Sequence, residues 1–365
     1  MEMTIEQLTS DAVELLKRLI ATPSVSRDEA AAADIMEEAI RSYGFSPVRH
    51  GNNVWVVSPN YDPSRPTLLL NAHIDTVKPV ASWTLDPFQP TETLTTPSCE
   101  GENPGEMRLY GLGSNDCGGG LVSLLQVFRY ETLNAQQPTF NLLYLASCEE
   151  EVSGINGIRS VIDILPKIDV AIVGEPTGMQ PAVAEKGLMV IDMVAHGKSG
   201  HAARGEGINA IYEALDDMQW IRNYRFEKVS DFLGPTVMNL TICNSGTQHN
   251  VIPDECRMTV DVRTNEHYDN EEVFRFIDSH TKSDCKARSY HLRSSHIDTQ
   301  HPLIQRLVAM GKTPFGSPTL SDQALMPWPS FKLGPGESSR SHSADEYICI
   351  SEIRDAIATY IELLD

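Results

Sequence analysis

Apolar residues recur at helical spacing first at Ile5, Leu8, Val13, Leu15, Leu16 and Leu19, a run that stops before Pro23. A second helix is predicted to open at Ser26, where Glu29 three residues on gives the arrangement of a capping box, and to close near Gly44, a residue suited to a left-handed cap. Short β-rich runs follow at Val54–Val57, Thr67–Leu70, Asn141–Ala146 and Asp169–Val173, with helical stretches near Leu121–Leu133 and Ile155–Leu165 between them. Nearly continuous apolar strands alternating with helices predict an α/β layer structure around a mostly parallel sheet.

The pattern changes after about Gly178. Leu188–Ala195, Thr236–Ile242 and Cys256–Val262 read as strands, the last with Met258, Val260 and Val262 on one face and Arg257, Thr259 and Asp261 on the other. Helical segments near Ile208–Tyr224 and Glu271–Ser283 lie among them, so residues 179–288 are expected to form a small α+β domain inserted into a larger one made of 1–178 and 289–365. The amphipathic helix Ile353–Leu364 completes the larger domain, and the Pro- and Thr-rich stretch Pro87–Gly105 reads as a long surface loop.

Composition narrows the classes. The chain has 365 residues, above the ~250–300 at which one core stops growing, which favours two domains. With 41% apolar and 22% charged residues it can bury a substantial core. A net charge of −21 without a run of Lys or Arg argues against nucleic-acid and anionic-membrane partners. The acidic N-terminal stretch lacks the basic segment and apolar core of a secretory signal, and no run approaches the ~20 apolar residues of a membrane span, so a cytoplasmic protein is expected. Seven scattered cysteines without a CxxC pair fit a reducing compartment and argue against a disulfide framework or zinc finger.

Five clusters carry candidate chemistry. His73 and Asp75 close the run Leu68-Leu69-Leu70, at the carboxyl end of a buried strand where open α/β sheets bind ligands; alone, such a His reads more readily as a cap on a backbone group. Gly111–Gly120 surrounds Asp116 with glycines but lacks the Lys of a P-loop, leaving a flexible loop or a tight turn that pushes Asp116 to the sheet edge. Glu149, Glu150 and Glu151 follow the strand at Leu142–Ala146 and read either as a solvated helix start or as a ligand beside a proton acceptor. Glu175 follows another buried strand, and Leu333-Gly334-Pro335-Gly336 leads to His342. Together these nitrogen and oxygen donors suit zinc, manganese or cobalt and suffice for two ions sharing a carboxylate.

In this order, HxD, a glycine-flanked Asp, a Glu triplet, GEPT and a late His, the chain resembles the M20 metallopeptidase and deacylase family over nearly its whole length, with GEPT and the Gly-Pro-Gly loop nearest to the acetylornithine deacetylase branch. The resemblance implies a mostly parallel, zinc-peptidase-like catalytic domain with an inserted lid and dimerisation domain. It implies two divalent ions, zinc first with cobalt or manganese as alternatives, held by His73, Asp116, Glu151, Glu175 and His342, with Asp116 bridging. Glu150 would be the general base and Asp75 the helper beside His73. In the lid, His201 of Gly197–Ala203 would reach the partner subunit's site to stabilise the oxyanion of a homodimer, while Asn239 and Arg263, with Gly336 of the catalytic domain, would bind substrate. The chain departs from the family's GRGxxDMKGG pattern at Leu112, Cys117 and Gly118, which removes two cations expected at the active-site rim.

The implied reaction is hydrolysis of the amide of an N-acylated amino acid, with N-acetylornithine of arginine biosynthesis foremost. N-acetyl- or N-succinyl-citrulline or ornithine, succinyl-diaminopimelate and dipeptides are rival substrates, and a catalytically inactive amino-acid-binding member is the non-enzyme alternative.

Overall fold

The computed structural model describes residues 3–95, 105–135 and 138–365. It divides into two compact units: Met1–Val183 with Ile297–Phe315 and Ser321–Asp365, and Ala184–His296 with Gly316–Leu320.

The first unit contains the strands β1 (Val48–His50), β2 (Asn53–Val57), β3 (Thr67–His73), β4 (Thr91–Leu94), β5 (Met107–Tyr110), β6 (Asn141–Ser147) and β7 (Val170–Val173), the later strands Ser330–Lys332 and Tyr347–Cys349, and the first two residues of β8 (Ala182–Glu185). Within this unit the main sheet runs β1, β2, β6, β3, β7, Ser330–Lys332 and the start of β8. Its centre is parallel from β6 through β3 and β7 to Ser330–Lys332, and antiparallel pairs flank it. All residues of β3, β6 and β7 are buried, the continuous apolar pattern of strands covered on both faces.

Helices α1 (Ile5–Ile20), α2 (Ala30–Ser42) and α3 (Gly119–Asn134) precede or cross the sheet, and the C-terminal helix Ile350–Leu364 returns to it. Helix α3 is buried almost all round through Phe128, as a helix without a polar face must be. It packs with Leu8, Leu16, Ile353 and Tyr360 in the largest core cluster.

Several expectations change. Helix α2 starts at Ala30, and Glu29 makes no side-chain cap; the Ser26 hydroxyl donates instead to Asp75 Oδ2 at 2.8 Å, so a local capping pattern is overridden by a distant carboxylate. The stretch Ile155–Leu165 holds one short 3₁₀ helix, Ile158–Ser160, flanked by turns, and no α-helix. The Pro87–Gly105 stretch contains β4, which pairs with β5 and, through it, with Tyr347–Cys349; residues 96–104 of that stretch, Cys99 among them, lie outside the described residues.

The second unit centres on a four-stranded antiparallel sheet in the order Val237–Ser245, Glu255–Arg263, β9 (Met189–His196), Asp284–Ala287. Helices Ala210–Asn223 and Asn270–His280 supply Ala214, Ile221, Val273 and Ile277 to a core with Met258, Val260 and Val262.

Glu131 on α3 gives a pH-dependent term in the first unit. It is buried, its Oε1 has no hydrogen-bond partner among the described residues, and burial together with the Asp365 carboxylate pushes its pKa up from the usual 4.5 to about 7. A carboxyl raised in the folded chain contributes its stability below the unfolded pKa and loses it as pH rises through 7. Glu131→Gln is therefore expected to raise the urea midpoint, with a larger gain at pH 8 than at pH 5; equal gains would contradict this account.

Candidate metal centre

The parallel registers align three strand ends. His73 lies opposite Ser147, and Asn71 opposite Val173, so the loops carrying Asp75, Glu149–Glu151 and Glu175 leave the sheet at the same edge. Helix α3 starts against that edge. A Cβ on Gly120 would stand 1.8 Å from the Gly174 carbonyl oxygen, so only glycine lets the turn bearing Asp116 approach the segment bearing Glu175. Gly336, at φ +82°, similarly admits the Asn115 side chain, whose Oδ1 a Cβ would meet at 2.2 Å.

These elements bring His73, Asp116, Glu150, Glu151, Glu175 and His342 together. His73 Nε2 lies 3.3 Å from Asp116 Oδ1, 3.8 Å from Glu175 Oε1 and 3.9 Å from Glu150 Oε2. His342 Nε2 lies 2.9 Å from Glu151 Oε2 and 3.5 Å from Asp116 Oδ2. Asp116 therefore turns one oxygen to each imidazole. His342 itself adopts a left-handed backbone, φ +57°, rare for a residue with a Cβ and concentrated at functional sites.

The electrostatics are those of crowded anions. Burial, with the Glu175, Asp322 and Glu151 carboxylates, holds Glu150 well above the usual carboxylate range against the opposing pull of His73. Burial and the Asp116 carboxylate push Glu175 up to about 8. The hydrogen bond to Glu151 raises His342 to about 9. Burial would raise Asp116 too, but His73 outweighs it and the carboxyl stays low.

Asp75 acts differently from a carboxylate partner of His73. The His73 Nδ1 is 2.8 Å from the Asp75 backbone carbonyl and 3.6 Å from the Asp75 carboxylate. That carboxylate accepts the N–H groups of Glu150 at 3.0 Å and Glu151 at 3.2 Å and the Ser26 hydroxyl, clamping the turn that carries Glu150 and Glu151. Glu149, at φ +54°, is buried and accepts from Asn156. Leu112 and Gly118 are buried as well, and a Cβ on Gly118 would meet the Gly113 carbonyl oxygen at 2.4 Å. The departures from the GRGxxDMKGG pattern at these two positions are therefore packing positions rather than lost rim charges. Cys117 lies beneath the site, where its sulfur accepts the His73 N–H at 3.2 Å.

The lid candidates belong to the second unit. His201 is exposed and its Nδ1 accepts the Ala203 N–H at 3.1 Å. Arg263 pairs with Asp261 at 2.9 and 3.1 Å, and Asn239 stands opposite Asp261 on the neighbouring strand. Ser26 and Glu346 contribute hydrogen bonds that the sequence pattern did not assign. Their only signal was a polar residue near a ligand segment.

The profile of peptidase family M20/M25/M40 matches residues 69–365. The chain belongs to this family. It is a metal-dependent amidohydrolase. This M20 chain is 27% identical to the succinyl-diaminopimelate desuccinylase of Corynebacterium glutamicum, covering 96% of the chain and 95% of that protein. It is also 27% identical to the acetylornithine deacetylase of Proteus mirabilis, covering 92% and 91%. Among solved structures it shares its α/β fold with the YXEP protein of Bacillus subtilis, a dinuclear metal binding peptidase, at TM-score 0.73, 16% identity and 98% coverage of both chains. The aminopeptidase PepT of Bacillus cereus gives TM-score 0.74 at 15% identity, again with 98% of each chain covered.

The donors of this M20 chain fit divalent cations. His73, Asp116 and Glu151 present ligand atoms within 4.8 Å of one another, and Glu175 keeps a buried Oε1 with no hydrogen-bond partner among the described residues. An unpaired carboxylate oxygen among imidazoles and other carboxylates is costly without a cation and well placed with one. No helix among the described residues is long and apolar enough to cross a membrane.

Proposed function

We propose that the chain hydrolyses the amide bond of an N-acylated amino acid, with N-acetylornithine as first substrate and acetate and ornithine as products. The observation that carries this reading is the Asp116 carboxylate between two imidazoles, one oxygen facing each, with Glu150 alongside. His73, Asp116 and Glu175 would hold one divalent ion, and His342, Asp116 and Glu151 the other. Such ions, zinc first and cobalt or manganese otherwise, supply Lewis acidity that eases deprotonation of water and polarises the scissile carbonyl.

The protein's own groups do the rest. Glu150 takes the proton of the attacking water on its carboxylate and delivers it to the leaving amine nitrogen, so that one group serves as base and then acid. The Asp75 clamp fixes the backbone from which Glu150 and Glu151 project, because it accepts the N–H groups of both. His201 would stabilise the oxyanion from the partner subunit. Its Nδ1 is an acceptor, which leaves the neutral ring with its proton on Nε2, free to donate. Arg263 and Asn239 in the second unit and Gly336 in the first would receive the amino-acid part of the substrate.

Dimerisation through the second unit is supported by its open sheet edge. Val237–Ser245 is the outer strand, with Ile242 49% exposed, and the helix Ala210–Asn223 leaves Tyr212 69% and Leu215 43% exposed. A second reading, succinyl-diaminopimelate desuccinylase, is favoured by the equal 27% identity to that enzyme of Corynebacterium glutamicum.

Three outcomes are expected. Glu150→Gln should keep its metal while kcat falls by about 10²–10⁴-fold, whereas His73→Ala should lose metal, as metal analysis and turnover together will read. Near-normal turnover by the Gln variant would remove Glu150 from its role. On a panel of acetyl- and succinyl-ornithine, acetyl- and succinyl-citrulline and succinyl-diaminopimelate, kcat/KM should favour acetylornithine by at least about tenfold; a preference for the diaminopimelate substrate would select the second reading. Mixing inactive Glu150→Gln and His201→Ala subunits should restore about a quarter of the wild-type activity if His201 acts across a dimer, and none if it acts within its own chain.

A further inference from the structure

Glu346 lies four residues after His342 and takes no part in the proposed chemistry, yet it is only 2% exposed. Its carboxylate accepts three backbone N–H groups of one loop: Gly113 at 3.1 Å on Oε2, and Asn115 at 2.8 Å and Asp116 at 2.9 Å on Oε1. Its backbone carbonyl accepts a fourth from Gly111 at 3.0 Å. On the other side of the same loop the Asn115 amide donates to the Glu337 carbonyl at 3.1 Å and accepts the Glu337 N–H at 3.0 Å. The loop from Gly111 to Asp116 is thereby laced to the segment from Glu337 to Glu346 along both edges.

We infer that Glu346 is a positioning residue for the metal centre, holding the Asp116 backbone so that its carboxylate faces His73 and His342 at once. The inference rests on the reading of Asp116 as the shared ligand. An anion beside other anions is a poor choice for a purely structural anchor, since a neutral amide would avoid the repulsion. A carboxylate, however, offers two acceptor oxygens and no donor, and three N–H groups converging from one turn require acceptors only. An amide at this position would leave an NH2 group facing the Gly113 N–H. The tightest pair of bonds is on the oxygen nearest Asp116, so the constraint is applied where the bridging geometry needs it. Glu346 also continues directly into Tyr347–Cys349, which pairs with β5, so the clamp is anchored on regular structure rather than on a free loop.

The test compares Glu346→Gln, Glu346→Ala and Asp116→Asn with the wild-type chain. Each is stripped of metal, checked for folding by circular dichroism and thermal melting, and titrated with zinc by calorimetry and with cobalt(II) by visible absorption. Groups that hold ligands in place typically change metal affinity about 10- to 100-fold. Glu346→Ala is expected to weaken the looser of two binding events by that amount and to alter the cobalt spectrum. Glu346→Gln should fall between it and wild type, because its carbonyl can still serve Asn115 and Asp116. A merely structural role would lower the melting temperature and leave the cobalt spectrum and affinities of the folded variants unchanged. Should Glu346→Ala fail to fold, Glu346→Gln alone decides. Wild-type affinities and spectrum in the Glu346 variants, with Asp116→Asn losing an ion, would overturn the inference and leave the ligand reading standing. Full binding by Asp116→Asn would overturn the ligand reading and the inference with it.

Discussion

Like charge at close range in a buried place is the constraint on which the first unit depends. Asp116, Glu150, Glu151 and Glu175 meet around His73 at the ends of parallel strands, where the dielectric is low and repulsion between carboxylates is strong. Burial first, and then the neighbouring carboxylates, hold Glu150 and Glu175 above the usual carboxylate range. A site that must gather anions before a cation arrives cannot rely on the side chains to hold themselves together. The surroundings do it instead, through a fully buried sheet centre, a helix buried on every side from Gly119 to Phe128, and glycines where backbone must touch backbone.

The same division explains which features could be read from sequence. The strands at Thr67–His73, Asn141–Ser147 and Val170–Val173 and the first part of the helix Gly119–Asn134 announce themselves because burial on both faces leaves a predominantly apolar run. The ligand candidates follow from their position just after those runs, since a parallel sheet brings successive carboxyl ends to one edge. What sequence could not supply is the choice of hydrogen-bond partner. Ser26 and Glu29 satisfy the spacing of a cap, but Ser26 is used 49 residues away by Asp75. His73 and Asp75 satisfy the spacing of an imidazole and carboxylate pair, but the strand ends at His73, and the turn beyond it offers a backbone carbonyl to the ring instead. The periodicity of Ile155–Leu165 is real as a buried face, for Ile158, Val161 and Leu165 pack in one cluster, yet the backbone reaches it through turns rather than regular helix.

Leu112 and Gly118 carry a related lesson for substrate recognition. Substituting a small or apolar residue for a cation looks like a change of charge at a binding surface, until the position proves to be packed. A Cβ on Gly118 would meet both the Gly113 carbonyl oxygen and Leu16, so a long side chain there requires a different local packing. The loop's departure from the family pattern therefore bears on how Asp116 is supported before it bears on what the site binds.

The two histidine segments share one construction. The segment that supplies His73 also supplies the Asp75 carboxylate, which fixes the backbone of Glu150 and Glu151, and Glu151 faces the other imidazole, His342. The segment that supplies His342 also supplies Glu346, which fixes the backbone of Asp116, and Asp116 faces His73. Each segment thus presents one imidazole and restrains the carboxylate opposite the other. Displacing either segment disturbs both halves of the cluster, because a moved imidazole and a released carboxylate belong to different donor sets. The two groupings meet at Asp116, whose oxygens face His73 and His342, and they are tied a second time through the backbone, so the spacing of the cluster is set by the fold.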